Sequence, residues 1–139
     1  MEKAMAQRLV NEAFLAREKS YCPFSGFAVG AALLSEDGTV FHGCNVEISG
    51  YGATCCAERT AMFKAVSEGH RRFTAIAVVG GKKEETVAAL CPPCGICRQA
   101  LSEFCSLKDF EVVLASSREH WEVYTLGELL PLAFGPGDC

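Results

Sequence analysis

The chain has 139 residues, half of them hydrophobic and 22% charged, with a net charge of −4; this fits a single domain over residues 1–139 with a core that needs no staples. The acidic balance excludes binding driven by phosphate neutralisation, so no nucleic-acid partner is expected. No apolar run approaches the roughly 18 residues of a membrane span, and MEKAMAQRLVNEAF is too charged for a signal peptide, so the expected location is the cytoplasm, away from membranes.

Ala6, Leu9, Val10, Ala13 and Phe14 recur at helical spacing and predict a first helix over residues 2–18. YCPFSG, from Tyr21 to Gly26, breaks it. FAVGAALLS, Phe27 to Ser35, reads as a strand buried on both faces, and EDGT turns the chain back into a second strand over 39–45. A second helix is expected over 55–68, with Thr54 as N-cap and Gly69 as the stop. FTAIAVVG, Phe73 to Gly80, is a third strand, and a third helix opens after Pro92-Pro93 and runs to about Cys105. Phe110 to Ser116 and Trp121 to Thr125 are the fourth and fifth strands, the last at an edge. Thr125 and Glu128 have capping-box spacing and open a short helix that Pro131 ends. The order α-β-β-α-β-α-β-β-α predicts an α/β fold, one mixed sheet with helices on both faces.

Nine cysteines are the compositional anomaly. In a reducing compartment an odd number, partly clustered, points to metal or catalytic use rather than a disulfide framework. Cys22, Cys44 and Cys105 read as small buried hydrophobes, and Cys139 as exposed. Cys94 and Cys97, at i and i+3 in the first turn of a helix, bring two sulfurs to one face. Cys56 lies at the start of another helix. If the two helix N-termini face each other, three thiolates converge, and three protein ligands plus water is the catalytic pattern of zinc. Glu58 then stands close enough to move a proton to and from the activated water. The helix N-termini and Arg59 offset the negative charge of three thiolates, Arg59 by donating to sulfur.

Other readings use the same residues. A lone Cys-x-x-Cys serves redox chemistry, but here it follows the third strand and a double proline rather than the first long strand. A structural four-cysteine zinc site would recruit Cys55 or Cys91, although adjacent Cys55 and Cys56 point different ways. It predicts four protein ligands and no exchangeable water.

CAERTA (Cys56 to Ala61) with PCGICRQ (Pro93 to Gln99) is the three-cysteine form of the zinc nucleobase deaminase signature. Together with YCPFSGFAVGAALL, GCNVE and ELLPLAFGP, it resembles the cytidine deaminase family, in its small homotetrameric branch. The resemblance spans Tyr21 to Pro136. It implies a three-layer α/β/α sandwich around a five-stranded mixed sheet, one Zn²⁺ per subunit, and hydrolysis of cytidine and 2′-deoxycytidine to the uridines and ammonia in pyrimidine salvage. It implies that Glu58 protonates N3 and then the leaving amine. Asn45 and Glu47 match positions that bind the ribose hydroxyl, the Ala57 amide matches a contact to the base carbonyl, and Phe27 an aromatic packed on the base. Phe134 matches a ring reaching a neighbouring subunit's pocket, and Tyr51 a residue bordering the adjoining site. Gln99, like Arg59, matches a group near the metal.

The chain departs from the family pattern at Ile48-Ser49, where Asn-Ala is common, and at Pro92, commonly Ser or Thr. Pro92 keeps a carbonyl acceptor and loses an N–H. Competing functions are deamination of another cytosine nucleoside, such as a nucleoside antibiotic, deamination of nucleic acid, which the acidic charge opposes, and a non-catalytic zinc protein.

Overall fold

Leu9, Val10 and Ala13 share one face of helix α1 (Lys3–Arg17) and are completely buried. They pack on a five-stranded sheet formed by β1 (Phe27–Ser35), β2 (Val40–Cys44), β3 (Phe73–Lys82), β4 (Glu111–Ala115) and β5 (Trp121–Thr125). Helices α2 (Ala57–Ser67) and α3 (Gly95–Phe104) cover the opposite face, and α4 (Leu126–Leu129) is the last α-helix, followed by a 3-10 turn at Pro136–Asp138. The computed structural model describes residues 1–139. No helix is long and apolar enough to cross a membrane.

The strand order is β2-β1-β3-β4-β5. β1 runs antiparallel to β2 and β3, β3 parallel to β4, and β4 antiparallel to β5. The sheet is therefore mixed, as expected. Strand side chains alternate between faces. Ala31 and Leu33 join Ala61, Met62 and Leu101 in one core, while Ala32 and Leu34 join Leu9 and Val10 in the other. This two-sided burial explains why β1 and β3 read as unbroken apolar runs.

Local chemistry ends the elements where the sequence suggested. Gly69 follows α2 at φ +97°, the left-handed conformation of a helix stop. The α4 capping box forms both its bonds: Glu128 N donates to Thr125 Oγ1 at 3.2 Å, and Thr125 N to Glu128 Oε1 at 2.8 Å. β3 continues two residues past the expected Gly80, because Gly81 and Lys82 pair with Ala28 and Phe27.

The start of α2 corrects the sequence reading. Thr54 is not its N-cap; Thr54 Oγ1 instead accepts from Ile48 N at 3.0 Å. Cys55 exchanges both backbone bonds with Val46, which holds this stretch extended, and the helix begins at Ala57 with Cys56 as N-cap. α3 begins in the same way, at Gly95 with Cys94 as N-cap. Cys56 and Cys94 therefore stand at helix ends rather than inside first turns.

Candidate active site

Val46 draws three separate motifs together. Its backbone pairs with Cys55 on one side, N to O at 2.9 Å and O to N at 3.0 Å. On the other side Tyr21 N donates to Asn45 O at 3.0 Å, and Glu47 N donates to Tyr21 O at 2.9 Å. The stretches at Tyr21, Asn45–Glu47 and Cys55–Glu58 thus form one small patch of backbone pairing beside the N-terminus of α2.

The N-termini of α2 and α3 meet, as the sequence reading required. The sulfurs of Cys56, Cys94 and Cys97 all lie within 4.8 Å of one another, and Cys56 Sγ is 3.8 Å from Cys94 Sγ. Tetrahedral zinc with bonds of about 2.3 Å to sulfur needs about 3.8 Å between sulfurs, so these residues fit the ion. Neither N-cap cysteine makes a side-chain capping bond, which leaves both sulfurs free to project from the helix ends. Cys55 and Cys91 stand outside the cluster. The donor set is three, with a fourth position open, which is the catalytic arrangement and not the closed four-cysteine one.

The surrounding charges suit a thiolate site. Arg59 Nη2 donates to Cys56 Sγ at 3.4 Å, as expected of it. The Cys97 thiol and the Arg59 guanidinium hold Cys56 well below the ordinary thiol range, at about 5. Arg59 itself is held more strongly protonated by these sulfurs, and its Nε is buried without a partner. Glu58, only 4% exposed, has its carboxyl pushed up to about 7, chiefly by burial and further by the charge of Cys56.

Cys56, Cys94 and Glu58 open onto a cavity of about 340 Å³, a size suited to a small ligand. Phe27, Asn45, Glu47 and Ala57 line the same cavity. Glu47 Oε1 accepts from Phe24 N and Ser25 N, each at 3.0 Å, and Oε2 accepts from Ser25 Oγ. These bonds, the Ser25 hydroxyl first, hold the Glu47 carboxyl below its usual range. Asn45 Nδ2 donates to Phe27 O at 2.8 Å and Oδ1 accepts from Val29 N at 2.9 Å, so the amide stands edge-on to β1 with one N–H spare. Ala57 opens α2, so its N–H has no acceptor within the helix.

Three expected residues lie elsewhere. Tyr51 is 76% exposed and stacks edge-on against Phe24, with ring centroids 6.1 Å apart, beside a neighbouring hollow that also contains Glu47. Phe134 is 61% exposed and does not line the cavity of its own chain. Gln99 Nε2 donates to Phe134 O at 2.7 Å. Sequence reasoning missed Ser25, which orients Glu47, and considered Cys91 only as a fourth ligand of a structural zinc site, whereas it lines the cavity. The signal for Ser25 was its place in a tight turn closed by Gly26 at φ +69°.

The chain is similar to known proteins. The model of the cytidine and deoxycytidylate deaminase zinc-binding region matches residues 3–114. A cytidine deaminase of Sporosarcina psychrophila is 48% identical over 132 residues, 95% of this chain and 93% of that protein. One from Halalkalibacterium halodurans is 49% identical over 132 residues, 95% of this chain and 96% of that protein. The crystal structure of cytidine deaminase from Burkholderia pseudomallei superposes with a TM-score of 0.83 at 48% identity, covering 96% of this chain and all of that one. With the three sulfurs, the buried carboxylate and the fold in agreement, the chain belongs to the cytidine and deoxycytidylate deaminase zinc-binding family.

Proposed function

We propose that this protein hydrolyses cytidine and 2′-deoxycytidine to uridine and 2′-deoxyuridine with release of ammonia. The observation that carries this is the pairing of Glu58, buried and held near neutrality, with the open three-sulfur site in one cavity. Cys56, Cys94 and Cys97 would hold the zinc ion, which when bound supplies Lewis-acid activation of the attacking water. Glu58 takes one proton from the attacking water and places it on N3 of the base as the C4–O bond forms, then passes the proton left on that oxygen to the amine as the C4–N bond breaks and ammonia leaves. Arg59 tempers the thiolate charge. The base lies against Phe27, with its carbonyl on the Ala57 N–H. Asn45 and the ionised Glu47 take the ribose hydroxyl, with Glu47 pre-oriented by Ser25. Such a role belongs to pyrimidine salvage in the cytoplasm.

We also propose a homotetramer. Supporting it are Phe24, Tyr51, Ile96 and Phe134, which are 49%, 76%, 65% and 61% exposed, and large hydrophobic side chains at that exposure suit cover by a second chain. Tyr51 and Phe134 would then border sites of neighbouring subunits. Sedimentation at equilibrium reads the state, and a monomer would overturn it.

The test of activity is the ultraviolet change on adding cytidine, beside a Glu58→Ala variant with its zinc content measured. Conversion by the wild type and almost none by zinc-loaded Glu58→Ala is the expected result. No conversion by folded, zinc-loaded wild type overturns the assignment, and a panel of other cytosine nucleosides then comes next.

A further inference from the structure

The loop that delivers Cys94 is nearly free of backbone hydrogen bonds. After Glu85 N, which donates to Lys82 O, the next backbone N–H that donates outside the regular elements belongs to Arg98, to Cys94 O at 3.0 Å. No N–H from residue 86 to residue 94 donates to the backbone. Two of those residues, Pro92 and Pro93, have no N–H to give. Only carbonyls remain as backbone handles in the turn before Cys94. The buried side chain of Val87 and the half-buried Leu90 anchor the far end of the loop, several residues from the sulfur.

One side chain grips the near end. Arg98 Nε donates to Pro93 O at 2.7 Å, and that is the one hydrogen bond the Pro93 carbonyl receives. The same guanidinium reaches the other way, with Nη1 donating to Leu129 O at 2.7 Å. Leu129 ends α4, itself held to the preceding loop by Gly127 N on Leu107 O at 2.8 Å and Leu126 N on Phe110 O at 2.9 Å. The planar fork of arginine can bond two carbonyls at a set spacing, which a lysine cannot.

We propose that Arg98 is a positioning residue for the metal site, clamping the Pro92-Pro93 turn to α4 so that Cys94 Sγ is held at the spacing from the Cys56 and Cys97 sulfurs that one shared zinc ion requires. This rests on the reading of Cys94 as a zinc ligand. Arg98 touches no sulfur, so it differs from Arg59, which donates to Cys56 directly. Its effect is on geometry: with the clamp released, the turn has no other hydrogen bond to hold it, and the third thiolate wanders.

The test is zinc release to an excess of a colorimetric chelator, measured for wild type, Arg98→Met, Arg98→Lys and Cys94→Ala, alongside the melting temperature of each apoprotein. Groups behind metal ligands typically change affinity by about 10–100-fold. Arg98→Met is expected to release zinc at least ~10-fold faster than wild type, with Arg98→Lys between the two, and the cobalt-substituted Arg98→Met protein is expected to show a weakened sulfur-to-cobalt absorption band. A general loss of stability would lower the apoprotein melting temperature without that spectral change. Zinc release within twofold of wild type from folded Arg98→Met overturns the inference. If Arg98→Met does not fold, Arg98→Lys decides: release as slow as wild type overturns it. A wild type that binds no zinc, or a Cys94→Ala protein that keeps it as tightly, overturns the ligand reading instead.

Discussion

Gly43 on β2 lies directly under Ala57 in the first turn of α2. A methyl group at Gly43 would stand 2.2 Å from Ala57 O and 2.5 Å from Ala61 N. These are backbone atoms of the helix, so they cannot swing aside. Ala57 sits between Cys56 and Glu58, and the missing side chain of Gly43 therefore sets how closely the metal-binding end of α2 approaches the sheet.

Gly43→Ala is accordingly expected to lift this end of α2. Overpacking of this kind costs ~1–3 kcal/mol, equivalent to a melting temperature lower by roughly 3–10 °C. Zinc content should fall with it. Gly50→Ala is the control, because a methyl there meets nothing within 4 Å. Equal melting temperatures and equal zinc content for the two variants would remove Gly43 from this role.

The second prediction concerns Ser25 and pH. The Ser25 hydroxyl and amide, with the Phe24 amide, hold the Glu47 carboxyl below its usual range. A carboxyl with a depressed folded pKa stabilises the fold above its unfolded value, near 4.3, and that stabilisation fades as pH falls through the folded value. Ser25→Ala removes the hydroxyl. It should be less stable than wild type at pH 7, with the gap closing below about pH 4. Urea midpoints at both pH values measure this, and a gap that stays constant with pH would exclude the carboxylate as its cause. The variant should also raise KM more than it lowers kcat, since the proposed function assigns Glu47 to the ribose hydroxyl.

Gly80 supplies a third test. A Cβ there would lie 2.7 Å from Cys91 Sγ and 3.0 Å from Phe27 Cε2. Both side chains line the cavity, and both would be pushed into it. Gly80→Ala should raise KM for cytidine roughly tenfold while zinc remains bound. Steady-state kinetics with metal analysis reads it, and an unchanged KM would mean that the ring and thiol retreat elsewhere.

Metal removal gives a fourth. Thiolate ligands select zinc over magnesium. Prolonged treatment with a strong chelator should abolish deamination, and added Zn²⁺ but not Mg²⁺ should restore it. Ligand thiols must lose their protons to bind, so zinc loading at fixed chelator should decline as pH falls. Full activity after complete metal removal would rule out the zinc mechanism.

Much of the fold was legible because short-range patterns carry it. Phe27–Ser35 was read as a strand with its observed bounds, since two-sided burial leaves an unbroken apolar run. The Thr125–Glu128 capping box formed as its spacing indicated. The start of α2 was misread because Thr54 is a good N-cap by residue type. The β-bridge between Val46 and Cys55, nine residues apart, holds the backbone extended for two residues more. The hydrogen bond of Gln99 was illegible for a similar reason, since its partner, the Phe134 carbonyl, lies 35 residues downstream.

The sequence by itself determined the order of helices and strands, the three cysteines and the glutamate on which the zinc reading rests, and the net charge of −4. Those depend on residue type and on spacing within a turn or a strand. Only the tertiary structure decided that Cys56 meets Cys94, 38 residues on, at 3.8 Å, with Cys97 in the same cluster. The packing of α2 and α3 on one face of the sheet brings their N-termini together. Tertiary structure also decided that Glu58 is dry enough to carry a proton near neutrality and that Arg98 clamps a turn without backbone donors. Burial and long-range carbonyl contacts arise from how distant segments stack, and no local pattern of residues encodes them.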